Sequence, residues 1–200
     1  MKITLKKIMI ILMAFTVGCG TIKQNIKARQ NLKKCKFKFE KVTFDKISFK
    51  KKIIPKAVNL DLFLKITNPT KDDVALDKVR AVVYLDRIKT TKLKHNKFVR
   101  IEAKNSSVEK IDIKIPMSAL KNFTRKKRPK NTIIDGKVFI NLLVGDSVIK
   151  TDFFVRIKAS LPIPWKEIDA AIAKRKAKYI NKFKLKKKKK RLKRFKKRFR

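Results

Sequence analysis

The stretch VNLDLFLKITNPTKDDVALDKVRAVVYLD, residues 58–86, decides the fold. Val58, Leu60, Leu62, Leu64 and Ile66 alternate with other residues, and after a break Val79, Ala81, Val83 and Leu85 do the same. A period of two marks a strand with one face buried. Between the two runs stand Asn68 and Pro69. Asn68 can close an Asx turn, and Pro69 has no N–H to donate to a ladder, so the pair predicts a turn between two strands.

Working outward, the same period recurs in both directions. On the N-terminal side, Phe37, Phe39, Val42, Phe44, Ile47 and Phe49 form one run. On the C-terminal side come KFVRIEA with Phe98, then Ile111, Ile113 and Ile115, then Val138, Ile140 and Leu142, then Phe153, Val155 and Ile157. MSALKNF predicts one short helical turn before the basic loop TRKKRPKN, and VGDS supplies a turn between the last two strands. About seven strands with turn signals between them predict an all-β fold, an antiparallel β-sandwich over residues 36–164. Phe63, Phe153 and Phe154 interrupt the alternation and put aromatic rings on both sheet faces. Either one of them covers a sandwich end or packs on the tail, or they open an apolar groove between the sheets for the acyl chain of a lipid ligand.

The order of strand, Asn-Pro turn and hairpin in residues 58–94 resembles the late embryogenesis abundant type 2 family, the water-stress and hypersensitive-response (WHy) domain. Asn68, Pro69, Leu76, Tyr84 and Leu85 match its signature. The likeness extends over about residues 36–164. Members commonly carry a glycine after the second hairpin strand, where this chain reads RIKTTKLK. The resemblance implies a fibronectin-III-like or Ig-like sandwich without catalytic residues, and roles in desiccation or stress protection or in handling lipid. A lipobox-like N-terminus strengthens the likeness, since bacterial members are often lipoproteins.

The N-terminus carries its own signal. Lys2, Lys6 and Lys7 precede an apolar run from Ile8, which stops at Gly18-Cys19. As a helix, residues 8–18 rise only about 16 Å, against roughly 30 Å of hydrocarbon, so the run is an export signal and no membrane span. A small residue before cysteine resembles the lipobox of bacterial lipoproteins, with Thr16 where that pattern favours Leu. Residues 1–18 then read as a lipoprotein signal peptide, Cys19 as the lipidation site, and residues 19–35 as a tether. Cys35 reads as an incidental residue of that linker, because two cysteines at this spacing suit neither a disulfide framework nor a metal site.

The formal charge is +43, and residues 174–200 hold 18 of the 58 basic residues and no acid. Lys is the commonest residue and Ile and Asn are also frequent, the composition that an AT-rich genome favours, so part of the surplus reads as compositional drift. The remainder points to anionic partners, which outside the cytoplasm means anionic lipid or lipopolysaccharide. Pro162 and Pro164 close the sandwich, and residues 165–200 read as a polybasic, helical or disordered tail. Ile168, Ile172, Tyr179 and Phe183 make one stripe, and Leu185, Leu192, Phe195 and Phe199 a second one nearly opposite. Two helical pieces broken near residues 186–190 accommodate both stripes. The second piece has the composition of an interfacial amphipathic helix. Its contact residues are Lys186, Lys187, Lys188, Lys189, Lys190, Arg191, Leu192, Lys193, Arg194, Phe195 and Phe199.

Catalytic chemistry finds no foothold. His95, in KLKHNKF, reads as a solvated loop residue, and no nucleophile, P-loop or metal motif occurs. Asp72-Asp73 reads as a solvated turn, not a cation site. The expectation is a non-enzymatic, lipid-anchored protein of the cell envelope, on the periplasmic or outer-membrane face, without cofactor or metal. The competing expectation is a secreted or cytoplasmic polyanion-binding protein built on the same sandwich. Nucleic acid is the disfavoured partner, because an exported chain rarely meets it.

Overall fold

A computed structural model describes residues 26, 29–50, 54–120, 123, 128–144 and 147–198. The described residues form eight strands: β1 Lys36–Lys50, β2 Ile54–Thr67, β3 Val74–Leu85, β4 Ile88–His95, β5 Val99–Ile101, β6 Ser106–Pro116, β7 Asn131–Val144 and β8 Ser147–Pro162. Among the described residues, α1 Met117–Leu120 and α2 Trp165–Arg198 accompany them, and residues 29–32 are helical as well. A three-stranded sheet runs in the order β1-β2-β6, and a five-stranded sheet in the order β4-β3-β7-β8, with β5 paired to the start of β3. All pairings are antiparallel. The fold is an all-β sandwich.

Alternation explains the core. Leu60, Leu62, Leu64 and Ile66 of β2 share one apolar core with Val79, Val83, Ile134 and Val138 of the other sheet, and each is at most 1% exposed. β1 departs from strict alternation in an informative way. Its apolar residues step by three between Phe39 and Val42 and again between Phe44 and Ile47, and register shifts fall at Phe39/Lys41 and Phe44/Lys46. A β-bulge inserts one residue and returns the following side chains to the same face. β4 has little sequence signal because Leu93 is its one buried side chain. The β3–β4 hairpin turns through Asp86 and Arg87, with φ of 49° and 65°. Two successive positive φ values are the geometry of a tight two-residue hairpin.

The body extends beyond both ends of residues 36–164. Leu32 is fully buried and Cys35 is 7% exposed, so the segment read as a tether enters the core before β1. At the other end Ile168 is 3% exposed and Ile172 packs against the core. The first turns of α2 are thus part of the sandwich's packing. α2 itself differs from the expectation of two pieces, since its backbone continues through residues 186–190 as one helix. Lysine and arginine are good helix formers, and neither Gly nor Pro follows Pro164. No helix among the described residues is long and apolar enough to cross a membrane.

Candidate anionic-surface interface

The base of α2 is fixed by specific contacts. Trp165 Nε1 donates to Pro129 O at 2.8 Å, and the Arg128 guanidinium lies 4.7 Å above the Trp165 ring. Arg128 Nη1 also reaches Asp169 Oδ2 at 2.8 Å. Glu167 sits in the first turn, where the helix dipole favours a carboxylate. One turn after Ile172, the Arg175 guanidinium covers Phe49 of β1 at 5.4 Å, and beyond it the helix leaves the sandwich.

From there the docked stripe continues without a partner. Tyr179 and Phe183 stack with centroids 6.5 Å apart, and Ile180 and Phe183 are 51% and 52% exposed. Lys178, Lys182 and Lys186 share with these rings a groove of about 250 Å³ along the helix. A helix of this length spans about 50 Å and can lie flat on a surface. Of the sequence-derived contact residues, Lys186, Lys187 and Lys189 are exposed. Lys188, Lys190, Arg191, Leu192, Lys193, Arg194 and Phe195 lie on helical backbone, with side chains outside the description, and Phe199 lies outside the described residues. Cys19 and the signal segment are outside them as well.

Asn68 and Pro69 form the turn after β2, and Asn68 does more than an Asx turn requires. It is fully buried. Its Nδ2 donates to Asp72 O at 2.9 Å, Glu102 O at 3.0 Å and Ile101 O at 3.3 Å. Its Oδ1 accepts from the Thr70 backbone N–H at 3.1 Å and lies 2.7 Å from the Thr70 hydroxyl. The Cys35 thiol points at the same oxygen from 3.7 Å. Cys35 is therefore a packed core residue and not an incidental linker residue, and burial pushes its thiol up to about 11.

The carboxylates of Asp72 and Asp73 are both engaged. Asp72 Oδ2 accepts from Asn31 Nδ2 at 2.9 Å. Asp73 takes Arg100 Nε and Nη2, each at 2.7 Å, and the Ala103 N–H at 2.8 Å. The Arg100 hydrogen bond, then the Ala103 N–H, holds the Asp73 carboxyl below its usual range. No group of three His, Cys, Asp or Glu side chains among the described residues could hold a metal ion.

His95 is not a solvated loop residue. It ends β4 with a side chain only 16% exposed, and its Nε2 stands 3.3 Å from Glu109 Oε1 on β6, without hydrogen-bond alignment. Lys97 Nζ reaches the same oxygen at 2.9 Å. The histidine closes the seam between the two sheets, which its basic sequence neighbours do not reveal.

The three phenylalanines separate by face. Phe153 packs against the core, Phe63 carries Lys41 Nζ at 4.8 Å, and Phe154 is 43% exposed beside Phe139 at 5.5 Å.

No family model matches the sequence, and no curated protein is similar to it. Solved structures are. A protein of Arabidopsis thaliana, determined in solution, aligns over 64% of this chain and 80% of its own at 13% identity, with a TM-score of 0.42. A protein described as a candidate late embryogenesis abundant protein aligns over 80% of this chain and 87% of its own at 12% identity, with a TM-score of 0.35. A candidate lipoprotein of Bacillus subtilis aligns over 62% of this chain and 36% of its own, also at 12% identity and a TM-score of 0.35. The sandwich itself rests on the strand pairing described above.

Proposed function

We propose that this chain is a non-enzymatic, lipid-anchored envelope protein that holds its sandwich against an anionic membrane surface through α2, in a stress-protective or lipid-handling role. The observation that carries the reading is the continuation of the docked Ile168–Ile172 stripe into exposed Tyr179, Ile180 and Phe183, among bases with no acid after Asp169. Apolar area and positive charge act together at an interface, and a single acyl chain binds only marginally without such a second contact. Cys19 supplies the first contact in this reading and α2 the second.

Two experiments test it. Cys19→Ala is expected to move the protein out of the detergent phase and to block signal-peptide cleavage at Gly18-Cys19. Processing and partitioning unchanged from the parent would remove the anchor. Replacing Leu192, Phe195 and Phe199 by Ser keeps every charge. It is expected to weaken binding to anionic vesicles and to make that binding more salt-sensitive. A triple variant that binds like the parent would reduce α2 to a polycation.

A further inference from the structure

The outer face of the five-stranded sheet carries an unusual row. Strand pairing places Lys94 opposite Arg80, Arg80 opposite Lys137, and Lys137 opposite Arg156, four cations in register on four adjacent strands. At a strand spacing of about 4.8 Å the row is about 14 Å long. Like charges directly opposed across strands destabilise a sheet. Arg156 is balanced by Asp135, with contacts of 2.7 and 3.0 Å, and Lys137 lies 4.3 Å over the Phe154 ring. Arg80 and Lys94 have no ion pair among the described residues.

Lysine-rich composition does not account for the row. The outer face of the three-stranded sheet draws on the same composition and mixes its charges. There Lys110 pairs with Asp61 at 2.8 Å, Lys46 with Asp45 at 3.3 Å and Lys65 with Glu40 at 3.8 Å. On the five-stranded face, the next row adds Lys92 and Lys158 beside Asp135. A shallow depression of about 450 Å³ runs over this region, lined by Arg80, Lys94, Lys137 and Arg156 together with Tyr84 and the Asp135 carboxylate.

We infer that this face binds a linear polyanion, a chain of phosphates or carboxylates lying across the strands along the Lys94–Arg80–Lys137–Arg156 row. The shape of the charge selects the occupant. The bases concentrate in this one row. The row on one side holds Phe139, Phe154 and Lys78, which pairs with Asp77 at 3.1 Å, and on the other side the mixed row of Lys92, Val82, Asp135 and Lys158 is followed by Tyr84, Ile133 and Ser160 with Lys89 at the sheet edge. A stripe neutralises a thread of anions one after another, whereas a bilayer rewards apolar side chains that can insert, such as those on α2. The inference depends neither on the lipid anchor nor on α2.

The full chain tests it with two variants of equal charge loss. One replaces Arg80, Lys94 and Lys137 by Gln, and the other replaces Lys178, Lys182 and Lys184 of α2 by Gln. Titration with linear inorganic polyphosphate and with polygalacturonate is expected to show at least a tenfold loss for the sheet variant on one or both polymers. The polymer with the larger loss names the anion. The salt slope of that binding should fall by about two for the sheet variant, because fewer counterions are released. The helix variant should keep its polymer affinity within about threefold and lose binding to phosphatidylglycerol vesicles instead. Relief of repulsion should leave the sheet variant melting at or above the parent temperature in low salt. Equal losses in both variants would overturn the inference, as would a sheet variant impaired only on vesicles, which would make the bilayer the occupant. A sheet variant that melts below the parent would also overturn it, because the row would then be a stabilising element of the fold.

Discussion

The side-chain amide of Asn68 donates to the carbonyl oxygen of Glu102 at 3.0 Å, fastening the end of β2 to the loop that carries the chain from β5 to β6. Lys104 in that loop has φ of 56° and its N–H donates to Thr70 O at 3.1 Å, so the two turns hold each other in place. The Asn-Pro step is thus one half of a lock between the sheets.

Asn68→Ala should lower stability by about 2–4 kcal/mol, more than the loss of one local turn bond, because it strands several buried carbonyl and hydroxyl groups at once. Denaturant midpoints measure the loss. Vesicle and polyanion binding by the folded variant should match the parent. A loss below about 0.5 kcal/mol would refute the lock.

Two isoleucines of α2 offer a matched pair. Ile168 is 3% exposed and Ile180 is 51% exposed. Truncating a buried Ile to Ala typically costs about 2–5 kcal/mol, whereas a surface change stays within about 0.5. Ile168→Ala should therefore destabilise the sandwich, and Ile180→Ala should leave the melting temperature unchanged while weakening vesicle binding. Equal effects on stability would mean that α2 is not docked as described.

Asp73 makes stability depend on pH in a definite direction. Its folded carboxyl is held below the usual range by Arg100 and Ala103, so its contribution is fully present above pH ~4 and is lost as pH falls through the lowered folded value. Asp73→Asn should be less stable than the parent at pH 6, and the gap should close in acid. A gap independent of pH would show that the carboxylate charge is not the stabilising feature.

Gly136 pairs with Ala81 where β3 and β7 approach closely, and an added Cβ would stand 2.7 Å from Ala81 Cβ and 3.2 Å from Arg80 O. Gly136→Ala should cost about 1–3 kcal/mol through overpacking. Adding Ala81→Gly should recover part of it, with the remainder due to the backbone oxygen. Additive losses in the double variant would place the strain elsewhere.

The sequence by itself determined the strands that bury one face, because burial on one side of a pleat imposes a period of two that survives in the residue order. Even the bulges of β1 are legible as steps of three between Phe39 and Val42 and between Phe44 and Ile47. The turn at Asn68-Pro69 and the basic helix after Pro164 were legible too, since both depend on neighbours in the chain. β4, with Leu93 as its one buried residue, left almost no trace. Only the tertiary structure decided that Leu32 and Cys35 enter the core and that Asn68 meets Ile101 and Glu102, whereas the unbroken course of α2 past residue 190 follows from its own helix-forming residues. Tertiary structure alone assembled Arg80, Lys94, Lys137 and Arg156 into one row. They come from two hairpins separated in the chain, β3–β4 and β7–β8, and each by itself is an ordinary outward-facing base. Their alignment arises from strand order and register, which are set by how two sheets close over a shared core and not by any local pattern of residues.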